Sequence, residues 1–276
     1  HILSVLGVLT LVMGFFASQL TMDAGFRKML PIGHPYIDTF FQYSDAFGGG
    51  NRILVVVEAR QGEIWTPEFL ETLRLVTDDV FFIPGVARHT VTSLWTPNTR
   101  FIAVTEVGLE AGDVMPANFK PTPEGIAKVL ANTLRADLIG RLVATNSRSA
   151  MVRAELLDFN PQTRQKLDYF EVADKLENDI RKKYVSDSID IKIVGFAKFT
   201  GDIADGAENV VVFFVVAFAL TCFMLWLYCR SWLLTFVTVA ASLCSLIWQF
   251  GLLNLLGFGL DPLSVLVPFL VFAIGV

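Results

Sequence analysis

"VVVFFVVAFALTCFMLWLYCRSWLLTFVTVAASLCSLIWQFGLLNLL", residues 210–256, contains one charged side chain, Arg230, and that residue sits in the short connection "CRSW". A bilayer core is crossed by about 20 apolar residues rising ~1.5 Å each, so residues 210–228 and 232–256 both read as spans. The connection is too short for anything but a tight turn, giving a helical hairpin. Arg230 is its only cation, and the excess of Lys and Arg in cytoplasmic loops places that turn in the cytoplasm.

Two further apolar stretches flank this hairpin in the chain. Residues 2–20 carry no Lys, Arg, Asp or Glu, and residues 262–276 are uncharged after Asp261. The first has the small residues Ala17 and Ser18 near its end, as a secretory leader would, but it exceeds the 7–15 apolar residues of a leader core. We read it as a true span. The expected organisation is therefore transmembrane helix 1 at 1–20, a water-facing domain at 21–206, helix 2 at 207–229, helix 3 at 232–256, and the start of helix 4 at 261–276.

The overall composition agrees with a membrane part joined to a polar part. The chain of 276 residues is 53% hydrophobic, with mean hydropathy +0.54 and net charge -5. Nucleic acid is an unsuitable partner, because phosphate recognition needs clustered Lys and Arg and the one run here is Arg181-Lys182-Lys183, which suits a helix end. Cys222, Cys229 and Cys244 all fall in apolar stretches and read as small buried hydrophobes, with no disulfide or metal spacing.

Within helix 3, Thr235, Thr238, Ser242, Ser245 and Gln249 recur at +3, +4, +3 and +4, which places them on one helix face. Such a face is either a packing seam, where small hydroxyl residues allow close approach, or the lining of a polar path. Asp261 followed by Pro262 has the pattern of an N-cap and first helical residue; an ion-handling role is the alternative.

Between the first two spans the pattern becomes strands and helices. "NRILVVVEA", residues 51–59, reads as a strand. Thr66-Pro67-Glu68 starts a helix whose apolar face is Phe69, Leu73, Val76 and Val80. "VARHTVTSLW", residues 86–95, reads as the next strand. "SAMVRAELL", residues 149–157, begins a second unit, in which Asn160-Pro161 starts a helix with Leu167, Phe170, Ala173, Leu176 and Ile180 on one side. "IDIKIVGFA", residues 189–197, closes it as a strand. Two such units predict a ferredoxin-like split βαβ layout, an α+β domain with helices on one sheet face. Residues 98–148 are then an insertion with a helix at Thr122-Pro123-Glu124 and a hairpin near Asn146-Ser147.

Several chemistries lack support. "FGGGN", residues 47–51, precedes a strand rather than a helix N-terminus and has no Lys-Ser or Lys-Thr, so it is no phosphate loop. His34 and His89 are isolated from other metal-ligating residues. No hydrolase, metalloprotease or nucleotide motif occurs, and no enzyme activity, metal or cofactor is expected.

The order of span, large domain, span, tight turn, span, turn and span, together with "KMLPIGHPY", "FGGGNRILVVVE", "IPGV" before "VTSLW", and "GFGLDPLSVLVPFLVFAIGV", resembles one half of a resistance-nodulation-division superfamily transporter. The nearest likeness is to the mycobacterial membrane protein large type of predicted exporter. The resemblance implies a multi-pass protein of the bacterial inner (cytoplasmic) membrane, with about twelve spans in two repeats and a periplasmic porter domain after the first span. It implies transport of hydrophobic small molecules or membrane lipids, driven by the proton gradient, and a missing C-terminal half. The family's proton relay, commonly an acid after a glycine such as Gly275, would fall just past Val276. A non-transporting sensor of sterol-sensing-like topology, or an assembly subunit, is the alternative. A periplasmic or lipoprotein partner, contacting the 98–148 insertion, is a further expectation.

Overall fold

The computed structural model describes residues 2–20, 33–47, 50–106, 108–160, 163–260, 264 and 266–275. The chain has mixed helix and sheet, and divides into two units: residues His1–Gly25 with Asp202–Val276, and residues Phe26–Gly201.

The second unit is built on β1, Arg52–Ala59, whose side chains alternate between buried and half-buried. That alternation follows from the two-residue period of a strand. Ile53, Val55 and Val57 have no exposed surface, and burying each contributes about 1.5–3 kcal/mol. β1 lies at the centre of a three-stranded antiparallel sheet between β4, Ser149–Glu155, and β5, Ile189–Gly195. Val55 is paired with Val152 on one side and Ile193 on the other, so the apolar sides of all three strands coincide.

Helix α3, Pro67–Phe81, packs against that face. It starts where expected: Thr66 Oγ1 accepts from the Phe69 N–H at 3.3 Å, and Pro67 occupies the first turn, where its missing N–H costs nothing. Phe69, Leu73, Val76 and Val80 are buried, as their spacing predicts. Helix α4, Pro123–Arg135, repeats the device, with Thr122 Oγ1 accepting from the Gly125 N–H. The turn around Asn146 and Ser147 is present too, with the Ala144 N–H donating to Ser149 O and Ser147 in the left-handed region at φ 54°. The insertion also contains a hairpin absent from the sequence reading, β2, Arg100–Thr105, with β3, Gly108–Asp113.

Two expected elements take other forms. Residues 86–95 do not form a strand. Arg88–Thr90 is a single 3₁₀ turn, and in place of a ladder the segment makes isolated bridges, Thr92 to Arg153 of β4 and Val86 to Leu156 just past its end. The reason is local: Thr90 Oγ1 accepts from the Glu155 N–H at 2.9 Å, so a side chain replaces the backbone acceptor that a ladder would supply. The segment still lies antiparallel along the free side of β4, and blunts that edge.

The second helix begins eight residues later than Asn160-Pro161. Pro161 lies outside the described residues, and Asn160 belongs to a turn in which its N–H donates to Gln165 O. The cap is Asp168, whose Oδ1 accepts from the Phe170 and Glu171 N–H groups. Leu167 therefore precedes the helix, buried against Gly85, where an added Cβ would collide with its side chain. The helix itself runs as α5, Tyr169–Lys175, a π-helical turn, Leu176–Arg181, and a last turn α6, Lys182–Tyr184. Its buried side includes Ala173, Leu176 and Ile180.

The first unit contains α1, Ile2–Ala17, the apolar part of α7, Phe196–Cys229, then α8, Trp232–Leu255, and α9, Val267–Gly275. Two helices among the described residues are long and apolar enough to cross a membrane: α7, over Val212–Cys229, and α8. The four expected spans are thus represented by two of full length, because α1 has 16 helical residues and α9 has nine. Helix α7 starts at Phe196, at about 51 Å long extending well ahead of its apolar stretch. Helix α2, Pro35–Phe47, completes the described helices.

Helix α1 is fixed to α8 by specific contacts. Trp248 Nε1 donates to Thr10 Oγ1 at 3.0 Å, and Asn254 Nδ2 donates to Phe16 O at 2.9 Å. Between them Gly251 lies against the Met13 carbonyl, closer than any side chain would allow, whereas Gly14 has ordinary clearance of 3.8 Å to Ile247. Gly251→Ala is therefore expected to force α1 away, costing about 1–3 kcal/mol and lowering the melting temperature of the purified chain, with Gly14→Ala nearly neutral. Equal melting temperatures for the two variants would contradict this packing.

Candidate functional site

The polar residues of α8 do not form one uniform stripe. Thr235 and Ser242 are buried, Gln249 and Thr238 are half-buried, and Ser245 is exposed. At ~100° per residue, Thr238 and Ser245 lie about 40–80° to one side of Thr235 and Ser242, enough to cross the edge of a helix contact. The buried line is Thr235, Val239, Ser242 and Leu246, continued by Gln249, at alternating spacings of four and three. The single face expected from the spacing is therefore divided, with 235, 242 and 249 turned inward and 245 turned out.

The inward positions differ in how their polar atoms are satisfied. Thr235 Oγ1 donates to Ser231 O at 3.1 Å, and Thr238 Oγ1 to Leu234 O at 3.0 Å, the usual back-bond of a hydroxyl residue within a helix. Ser242 Oγ and Gln249 Oε1 are buried with no hydrogen-bond partner. Such atoms cost about 1–3 kcal/mol each when unpaired. Ser242 also faces α9, since a Cβ placed on Gly275 would lie 3.1 Å from its Oγ. The α1 contacts through Ile247, Trp248, Gly251 and Asn254 occupy the opposite side of α8, so this helix stands between α1 and α9. Asp261 lies outside the described residues.

Rings line the contact of α7 with α9: Phe214 and Phe218 both approach Phe272, at 5.5 and 5.2 Å between centroids. Each such aromatic pair adds about 0.5–1.5 kcal/mol to area burial. The three cysteines are free and half-buried. No group of three or more metal-ligating side chains occurs among the described residues.

The Phe26–Gly201 unit holds a second polar arrangement that the sequence did not announce. Lys198 is buried, and its Nζ donates to Glu177 Oε2 at 2.7 Å, while Arg181 Nη1 donates to the same oxygen at 3.0 Å. Glu177 and Arg181 sit in the π-helical turn, where one extra residue per turn redirects side chains. Arg181 Nε is buried without a hydrogen bond. The only sequence signal for this triad was the oppositely charged pair at positions 177 and 181.

Nearby, Lys183 Nζ and Tyr184 Oη both donate to Asp79 Oδ2 at 2.7 Å, tying the end of α6 to α3. The bond to Asp79, with a smaller contribution from Tyr184, holds the Lys183 ammonium well above its ordinary range. Burial, then the Asp79 bond, pushes the Tyr184 phenol up. Both shifts favour the protonated form in the folded chain, so their stabilisation is complete below about pH 10 and is lost as pH rises through the folded values. The melting temperature is expected to fall more steeply above about pH 10 in the native chain than in Asp79→Asn, measured by thermal unfolding across pH. Parallel curves would refute this linkage.

No profile of a known protein family matches the sequence, and no curated protein is similar to it at a significant level.

Proposed function

We propose that the chain is the first-repeat part of an inner-membrane transporter of the resistance-nodulation-division, mycobacterial-large type, which moves hydrophobic or lipid-like molecules using the proton gradient. The observation that carries the reading is the seating of α1 on α8 through Trp248, Gly251 and Asn254. A cleaved leader has no use for such a fit; a bundle helix does. With α1 in the bundle, the unit at Phe26–Gly201 is an insertion between the first and second membrane helices, the domain order of the family resembled. In that arrangement the domain faces the periplasm and Arg230 the cytoplasm.

The buried hydroxyl and amide of Ser242 and Gln249 suit the same reading. In a bilayer a polar atom has no water to turn to, so it is kept where protein or a polar path supplies the missing bond. Both atoms lie toward the side of α8 facing away from α1, where further helices of a transporter would pack.

Deletion of the gene is expected to alter export of an envelope lipid or hydrophobic compound, and the native gene to restore it. Complementation with Ser242→Val or Gln249→Leu is expected to restore transport at a rate reduced about fivefold, the equivalent of the one hydrogen bond that a polar path would supply to each. Ser245→Ala is expected to restore it fully. Unchanged export in the deletion strain would overturn the proposal.

A further inference from the structure

The first turn of α3 and the segment before α4 enclose an open cleft of about 600 Å³ in the Phe26–Gly201 unit. It is lined by Trp95 and Phe119, by Pro67 and Pro121, and by the charged Glu68, Glu71 and Arg74. The two rings stand at 89° with centroids 5.5 Å apart, forming a right-angled aromatic corner. Trp95 Nε1 donates to Leu70 O at 2.8 Å, which fixes the indole and leaves it no donor for a ligand. The Phe119 N–H donates to Pro116 O, holding the other wall.

The charges of the cleft are equally fixed. Arg74, its one lining cation, is committed: Nε and Nη2 donate to the two oxygens of Glu71, and Nη1 donates to Asp78. Glu68 Oε1 accepts from Ser188 Oγ at 2.7 Å, which orients its carboxylate. The hydrogen bond and charge of Arg74 hold the Glu71 carboxyl below its ordinary range, so it is ionised at neutral pH. Glu68, Glu71 and Arg74 together leave a formal charge of -1.

We propose that this cleft binds an organic ammonium ion of the trimethylammonium type. The faces of aromatic rings attract a cation by their quadrupole, and two perpendicular rings contact methyl groups on two sides. The lining carboxylates, in excess of Arg74 by one charge, add attraction without demanding a hydrogen bond that a quaternary nitrogen cannot make. The volume exceeds that of the head group and accommodates an attached alkyl or glyceryl portion, within the range usual for small-molecule sites. Anions are repelled, and neutral ligands gain only the apolar share. The site belongs to the Phe26–Gly201 unit alone and stands whether or not the chain transports.

The test uses the full chain in a non-ionic maltoside detergent, with choline and its uncharged isostere 3,3-dimethylbutan-1-ol as probes, followed by calorimetry and ligand-observed NMR. Choline is expected to bind one site, at least about fivefold more tightly than the isostere. Glu68→Gln and Phe119→Leu are each expected to weaken choline about threefold or more, while Trp95→Phe, which keeps a ring, retains most of the binding. Thermal unfolding of each variant separates loss of the site from loss of the fold. Equal affinity for choline and the isostere would overturn the proposal, as would choline binding unchanged in both Glu68→Gln and Phe119→Leu. Binding of a proline-rich peptide in place of choline would overturn it too.

Discussion

The close approach of Gly251 to the Met13 carbonyl is the constraint on which the seating of α1 on α8 depends. A helix surrounded by lipid gains little from burying apolar side chains against another helix, since both environments are apolar. Association then relies on close backbone approach and on hydrogen bonds that lipid cannot supply. The α1 and α8 pair has both: a glycine at the contact, and bonds from Trp248 and Asn254 on either side of it. Between helices in lipid such a bond contributes about 0.6 kcal/mol on average, so in the proposed membrane setting the steric fit at Gly251 sets the register and the bonds fix it.

The Phe26–Gly201 unit follows different physics. Its stability derives from water, through a sheet whose central strand buries Ile53, Val55 and Val57 beneath two helices. Surface ion pairs such as those of Arg74 add little to stability. Their effect is positional: Arg74 fixes Glu71 beside the aromatic corner, and Lys183 links α6 to α3 through Asp79. The π-helical turn brings Glu177 and Arg181 together with the buried Lys198, both cations donating to one Glu177 oxygen.

Local signals in the sequence located what local chemistry decides. Thr66-Pro67-Glu68 and Thr122-Pro123-Glu124 start helices because cap, proline and dipole act within one turn. Asn160-Pro161 carries the same kind of signal, yet the helix waits for Asp168, because burial of Leu167 beside Gly85 is a distant contact that no spacing encodes. Residues 86–95 have strand composition, but Thr90 satisfies Glu155 with a side chain. The spacing on α8 put Thr235, Thr238, Ser242, Ser245 and Gln249 on one face; it did not say that α9 would meet Ser242 or leave Ser245 exposed. Trp248 and Asn254 were missed because a lone polar atom in an apolar run carries no period, and Gly251 was the available clue. The aromatic corner joins Trp95 to Phe119 across the β2 and β3 hairpin, and only the fold brings those two together.

The most direct measurement is a cross-link between α1 and α8 in the membrane. With Cys222, Cys229 and Cys244 replaced by serine, Gly14→Cys and Ile247→Cys place two thiols at a contact where a Cβ on residue 14 lies 3.8 Å from the Ile247 side chain. Membranes are oxidised and the Phe26–Gly201 unit is then cut by protease. The account predicts that the N-terminal and C-terminal pieces stay joined until reduced. Release of the N-terminal helix before oxidation, or pieces that never join, would contradict it.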